Sequence, residues 1–312
     1  MKGKIMHVLN ADQFTPEQLT QLFELADGFR EAVAHPKQSR ELAQKYQGKQ
    51  LCSLFYEPST RTRVSFETAA LKLGLGVVST ENAAEFSSAA KGETIEDTVR
   101  VLNQYDFAAI VIRHPETGSV ARAAAVSQVP ILNAGDGKGD HPTQSLLDVY
   151  TIYRHFGRLD NLHVVAGGDL RNGRTIRSLV KMLAKYPGNR FTFISIPELQ
   201  IAGDIKDILH EKGLTFIETT DMNSAFKDAD VVYWTRLQKE RLAAGEALDR
   251  GSFNLTTTSI KGLPEKAIIM HPLPRVDEIA AEVDADPRAK YFEQAGNGLY
   301  IRIALLDYVI GS

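Results

Sequence analysis

Cysteine is almost missing from this 312-residue chain, which has only Cys52. A single thiol cannot close an internal disulfide, and it cannot supply a thiolate zinc site within the chain. An excess of one charge is missing too: 36 Lys and Arg face 39 Asp and Glu, for a net charge of −3. No basic surplus points to nucleic acid, and no basic amphipathic stretch points to a membrane surface. No apolar run approaches a membrane span, and the opening "MKGKIMHVLNADQF" lacks the apolar core of a secretory signal. A cytoplasmic protein is the expectation.

Several catalytic signatures are also lacking. There is no G-x-x-x-x-G-K-[ST], no H-E-x-x-H and no G-x-S-x-G, and the eight histidines are dispersed. A P-loop nucleotide site and a catalytic metal are therefore not expected. The glycines of "GDGKG" (135–139) lack dinucleotide spacing, so no cofactor is implied. Cys52 falls in an apolar run that reads as a buried strand, which argues against a covalent nucleophile.

What is present is ordinary for a globular protein: 43% hydrophobic and 24% charged residues. The length suits two domains of about 150 residues each. Thr15, Pro16 and Gln18 form a capping-box start to a helix whose apolar stripe is Leu19, Leu22, Phe23 and Leu25. Short apolar runs such as "QLCSLFY", "FAAIVIRH", "NLHVVAGGD" and "RFTFISI" read as buried strands, with helical patterns between them. The closing pattern "LYIRIALLDYVIG" reads as a helix from Leu299. The alternation predicts an α/β protein with two doubly wound parallel sheets. "HPTQSLLDVYTIYRHFG" (141–157) is the long helix expected to join the domains.

Ligands of such sheets bind beyond the carboxyl ends of the strands, and the unusual polar clusters fall there. "FYEPSTRTR" puts Ser59, Thr60, Arg61 and Thr62 where a strand gives way to a helix. Unpaired N–H groups, the helix dipole, hydroxyls and a guanidinium favour an anion at such a place, phosphate above others. A plain N-cap followed by surface arginines paired to Glu57 or Glu67 is the alternative. "VIRHP" ends a strand with Arg113 and His114, which is as consistent with a structural arginine as with a ligand contact. "NAGDGKGDHPTQ" sets His141 and Gln144 one helical turn apart beside a flexible loop. In the second half, "GGDLRNGRT" places Arg174 at a helix start, "YWTRLQKERL" places Arg236 and Gln238 past a strand, and "MHPLPR" makes a rigid turn. Four arginines at strand ends in a chain of negative net charge predict ligands carrying several negative charges.

With these segments in this order, the sequence resembles the aspartate/ornithine carbamoyltransferase family over almost its whole length. "TRLQKERL" and "HPLPR" place it on the aspartate-using side, since Pro272 stands where ornithine-using relatives carry cysteine. The resemblance implies transfer of the carbamoyl group of carbamoyl phosphate to L-aspartate, giving N-carbamoyl-L-aspartate and phosphate for pyrimidine biosynthesis. The alternatives are a sister enzyme using another amine such as ornithine, and a non-catalytic scaffold. It implies a carbamoyl phosphate domain over 1–141 with a returning helix at 291–312, and an aspartate domain over 142–290. Ser59, Thr60, Arg61, Thr62 and Arg113 would hold the phosphate. Thr62, Arg113 and His141 would polarise the carbamoyl oxygen, and Gln144 would contact the carbamoyl amide. Arg174 would take the α-carboxylate of aspartate, Arg236 and Gln238 its β-carboxylate, and the carbonyls of Pro272 and Leu273 its amino protons. Ser87 and Lys91, in "EFSSAAKGE", match a loop that reaches a neighbouring subunit, implying a homotrimer with shared active sites. Association with a regulatory or partner-enzyme chain is left open.

Overall fold

The computed structural model describes residues 6–86, 88–137, 139, 141–236 and 253–311. The chain divides into two compact units, one of residues 1–147 with 296–312 and one of residues 148–295.

The first unit opens with α1 (Pro16–Ala34), started by the expected capping box: Thr15 Oγ1 accepts from Gln18 N–H, and Gln18 Oε1 accepts from Thr15 N–H. Leu19, Leu22, Phe23 and Ala26 are buried along it, while Leu25 sits at the margin of the stripe and is exposed. Next comes α2 (Pro36–Leu42), which the sequence reading passed over. Then follow β1 (Gln50–Phe55), α3 (Thr60–Lys72), β2 (Gly76–Thr80), α4 (Ala83–Phe86) and α5 (Ile95–Leu102). The series continues with β3 (Ala109–His114), α6 (Ser119–Val126), β4 (Ile131–Asp136) and α7 (Pro142–Phe156). The four strands are parallel in the order β2-β1-β3-β4.

The second unit contains β5 (His163–Gly167), α8 (Arg174–Leu183), β6 (Arg190–Ile194), α9 (Gly203–Glu211) and β7 (Thr215–Thr219). After them come α10 (Met222–Phe226), β8 (Val231–Trp234), β9 (Ile268–Met270) and the start of α11 (Tyr291–Ile310). The five strands are again parallel, in the order β7-β6-β5-β8-β9. Trp234 is buried against a backbone that only glycine permits, because a Cβ on Gly167 would lie 2.2 Å from the indole.

Each sheet has one point where the strand order reverses, between β1 and β3 in the first unit and between β5 and β8 in the second. Such reversals open a crevice at the carboxyl ends of the two strands. Phe55 pairs with Arg113 at the first reversal and Gly167 with Trp234 at the second. The arginine-bearing loops therefore leave from these two reversals.

The closing helix starts at Tyr291, where the family resemblance placed it, eight residues ahead of the apolar pattern that begins at Leu299. Gly296 and Gly298 fall inside the helix, and a Cβ on Gly298 would meet Arg302 Nη1 at 2.4 Å and Leu147 Cδ2 at 3.0 Å. Within the first unit, that glycine lets α11 lie close to α7. Among the described residues, no helix is long and apolar enough to cross a membrane.

Candidate active site

In the first unit the site is built on the β1–β3 reversal. Tyr56 N–H donates to the Arg113 carbonyl at 2.9 Å, tying the two strand ends together. The chain turns through Pro58 into α3, with Ser59 at its N-cap. The Ser59 side chain makes no capping bond, so the plain N-cap reading does not account for its hydroxyl. The first N–H groups of α3 lack helical partners and point to the same side as the positive end of the helix dipole.

The two arginines of the motif part company. Arg63 is braced by carboxylates, with Nη1 3.3 Å from Glu67 and Nη2 2.8 Å from Glu81. Arg61 makes no hydrogen bond or ion pair among the described residues. Partial burial and then the nearby charge of Arg113 press its pKa below the ordinary value. Two guanidinium groups are thus held near each other at a helix N-terminus, an arrangement that an anion stabilises.

Arg113 is itself anchored, with Nη2 2.6 Å from Glu57 and Nη1 donating to the Ala134 carbonyl at 3.2 Å. Glu57 therefore serves Arg113, not Arg63. Beside it Gly135 has a φ of +117°, and a Cβ there would lie 3.0 Å from Arg113 Nη1 and 3.6 Å from His141 Cδ2. The absent side chain leaves room where guanidinium and imidazole converge. His141 is buried, with Nε2 3.5 Å from Thr62 Oγ1 and Nδ1 3.4 Å from Thr143 Oγ1. Arg302 Nη2 donates to that same Thr143 oxygen at 3.3 Å. Gln144 is half-buried in the first turn of α7, where its N–H donates to the His141 carbonyl at 3.0 Å.

Thr60 and Arg61 are exposed at the mouth of this cluster, Ser59 is half-buried and Thr62 is buried. His114 stands apart from it: its Nδ1 accepts from Glu116 N–H at 3.0 Å, and its ring packs on Tyr56. Lys91 is exposed at the end of a short turn, and Ser87 lies outside the described residues. Burial pushes the Cys52 thiol up to about 12, which leaves it protonated and inert.

In the second unit, Arg174 opens α8 after the loop from β5, and Arg236 follows β8, so both belong to the β5–β8 reversal. Both are half-buried. Gln238 lies outside the described residues. Pro272 and Leu273 follow β9, the neighbour of β8; the Leu273–Pro274 peptide is cis and Leu273 has a φ of +51°. Among the described residues, no cluster of His, Cys, Asp and Glu is arranged to hold a metal ion.

Sequence reading missed Glu57 as the partner of Arg113, Gly135 as the spacer, and Thr143 beside His141. The signal for Gly135 was present in "LNAGD", where a glycine ends a buried strand without a turn to require it. Nothing in the sequence linked Glu57 to Arg113, because their pairing depends on β1 and β3 being neighbours.

Two parallel α/β units with guanidinium groups at their strand-order reversals define a class of α/β protein suited to anionic small molecules. The chain belongs to the aspartate/ornithine carbamoyltransferase family. The model of that family's carbamoyl-P binding domain matches residues 6–154, and the model of its Asp/Orn binding domain matches residues 160–309. The chain is 49% identical to aspartate carbamoyltransferase 3 of Pisum sativum, across 99% of this chain and 78% of that protein. Among solved structures it is similar to the catalytic subunit of M. jannaschii aspartate transcarbamoylase, with 40% identity, 98% of each chain covered and a TM-score of 0.90. It is also similar to Trypanosoma cruzi aspartate transcarbamoylase in complex with carbamoyl phosphate and aspartate, with 36% identity, 97% and 96% coverage and a TM-score of 0.87.

These relatives correct one expectation. Relatives from Pisum sativum, Arabidopsis thaliana and Oryza sativa are named chloroplastic, so the cytoplasmic expectation is not upheld. The cytoplasmic reading rested on the lack of an apolar leader. An apolar opening stretch is the mark of a secretory signal and carries no weight for or against plastid addresses, which are amphipathic and Ser/Arg-rich rather than apolar.

Proposed function

We propose that the protein transfers the carbamoyl group of carbamoyl phosphate to the amino group of L-aspartate, giving N-carbamoyl-L-aspartate and phosphate. The observation that carries this reading is Arg61, a guanidinium without a carboxylate among the described residues, held beside Arg113 at the start of α3. Ser59, Thr60, Arg61, Thr62 and Arg113 take the phosphate through hydroxyl, guanidinium and backbone N–H donors. Thr62, Arg113 and His141 donate to the carbamoyl oxygen, and Gln144 meets the carbamoyl amide. As the amine attacks, the carbonyl oxygen gains negative charge, and donors fixed in advance stabilise it most at that moment. The bond from carbonyl carbon to phosphate oxygen then breaks, and the leaving phosphate accepts the amine proton. No protein base is required.

Arg174 holds the α-carboxylate of aspartate, Arg236 and Gln238 hold its β-carboxylate, and the Pro272 and Leu273 carbonyls receive its amino protons. These cations cancel the repulsion between two anionic substrates and align amine with carbonyl carbon. Pro272 in "HPLPR" favours aspartate over ornithine as acceptor.

The working form is a homotrimer in which Ser87 and Lys91 serve a neighbouring subunit's site. In support, β2 is an edge strand, and Val64, Leu71 and Val78 on α3 and β2 are exposed apolar side chains. The product feeds pyrimidine biosynthesis. The test is a substrate panel on the purified protein: release of phosphate from carbamoyl phosphate should require aspartate, and Arg61→Ala or Arg174→Ala should abolish it. Preference for ornithine or putrescine would defeat the aspartate assignment. Solution mass tests the trimer.

A further inference from the structure

The turn after β9 is clamped from behind by a buried pair to which the mechanism above gives no task. His271 is 1% exposed and Glu278 3%, and His271 Nε2 lies 2.8 Å from Glu278 Oε1. The other ring nitrogen, Nδ1, accepts the Leu273 N–H at 2.8 Å. An acceptor at Nδ1 fixes the proton on Nε2, where it is donated to the carboxylate. The second oxygen of Glu278 accepts the N–H groups of Val276 and Asp277, each at 3.1 Å. Burial opposes ionisation of Glu278, yet the bonds from His271 and the backbone hold its pKa below the usual value. One carboxylate thus anchors both sides of the turn.

The clamp extends into the core of the second unit. His271 N–H donates to Gln294 Oε1 at 2.9 Å, and Gln294 Nε2 donates to Asp148 Oδ1 at 2.6 Å. Tyr233 donates to the other Asp148 oxygen at 2.8 Å. Leu273 needs such support, because its φ of +51° is unfavourable for a side chain branched at Cγ and persists only when its surroundings impose it.

Peptide geometry gives the clamp its consequence. The Leu273 N–H and the Pro272 C=O belong to one planar trans peptide, so they point in opposite directions. Holding that N–H against His271 aims the Pro272 carbonyl away from the ring. We infer that His271, set by Glu278, is a positioning residue that orients the Pro272 carbonyl toward the amino group of the acceptor. The inference rests on the reading of aspartate as that acceptor.

The experiment compares His271→Phe, His271→Asn and Glu278→Gln with the unaltered protein. It measures KM for aspartate by steady-state rates and Kd for inorganic phosphate by calorimetry. His271→Phe leaves the Leu273 N–H unpaired and should raise the aspartate KM by about tenfold or more, with phosphate affinity within about twofold. His271→Asn places an amide oxygen near the position of Nδ1 and should recover most of the loss. Glu278→Gln should shift aspartate KM in the same direction by less, and it decides the matter if His271→Phe does not fold. An unchanged aspartate KM, equal losses for both ligands, or no recovery in His271→Asn would overturn the role. If the unaltered protein shows no aspartate turnover, the functional reading falls and this role with it. Normal turnover with indifferent variants removes this role alone.

Discussion

The hydroxyl of Thr62 and Nε2 of His141 stand 3.5 Å apart in the first unit, both buried, one from the first turn of α3 and the other just before α7. Two donors from different elements so placed can meet one oxygen without moving, which is what an oxyanion in formation requires. His141→Ala should therefore lower kcat by about 10²-fold or more, while phosphate binding, assigned in the proposal to other groups, should change little. Steady-state kinetics with a phosphate titration check this. A loss confined to KM for carbamoyl phosphate would remove His141 from the transition state.

The neighbouring arginines should separate cleanly. Arg61 faces the charge of Arg113 without a carboxylate among the described residues, so Arg61→Ala should abolish phosphate binding at no cost in stability. Arg63 is paired with Glu67 and Glu81, and its partly covered ion pairs contribute about 1 kcal/mol at most. Arg63→Ala should lower the urea midpoint and leave phosphate affinity nearly intact. The opposite pattern would exchange their roles.

Strand-ending arginines and the STRTR helix start were legible because they are local: a strand, a turn and a helix lie within twenty residues. The alternation of apolar runs likewise gave two parallel sheets. Pairings across the sheet were not legible. Glu57 looked like a partner for Arg63, six residues away, yet it reaches Arg113 because β1 and β3 are adjacent. The start of α11 at Tyr291 came from the resemblance and not from the apolar pattern, since Gly298 is a poor helix former by propensity but a spacer by packing. His271 read as part of a rigid turn, and only the fold shows Glu278 behind it.

Stability should fall as pH drops below about 6.5, the unfolded histidine value. His7, His114 and His163 are held below that value, chiefly because burial penalises the charged ring. His7 Nδ1 accepts from Ile131 N–H and His114 Nδ1 from Glu116 N–H, so protonation there also removes a bond. Between the folded and unfolded pKa values the unfolded chain binds more protons. The stabilisation is therefore complete above the unfolded value and is lost as pH falls below it. Carboxylates with lowered pKa values act only at more acidic pH, so urea midpoints between pH 7.5 and 5.5 report the histidines. His163→Gln should flatten that slope, and an unchanged slope would take His163 out of the account.

Gly135 offers the sharpest test of the site's construction. Its φ of +117° is closed to side chains, and a Cβ would stand 3.0 Å from the Arg113 guanidinium and 3.6 Å from the His141 ring. Backbone strain alone costs about 1–3 kcal/mol at such a position. The steric effect acts on the two groups proposed to meet the carbamoyl oxygen, and a shift of 1 Å there is worth about 10²-fold in rate. Gly135→Ala should thus lower kcat by more than its loss of stability accounts for. Gly203 provides the control: a Cβ there meets nothing within 4 Å, and it lies in the first turn of α9. Gly203→Ala should leave kcat unchanged and stability equal or slightly higher, because alanine has less freedom to lose on folding. Equal kinetic effects in the two variants would show that Gly135 is an ordinary loop glycine and that the approach of Arg113 to His141 has no part in the chemistry.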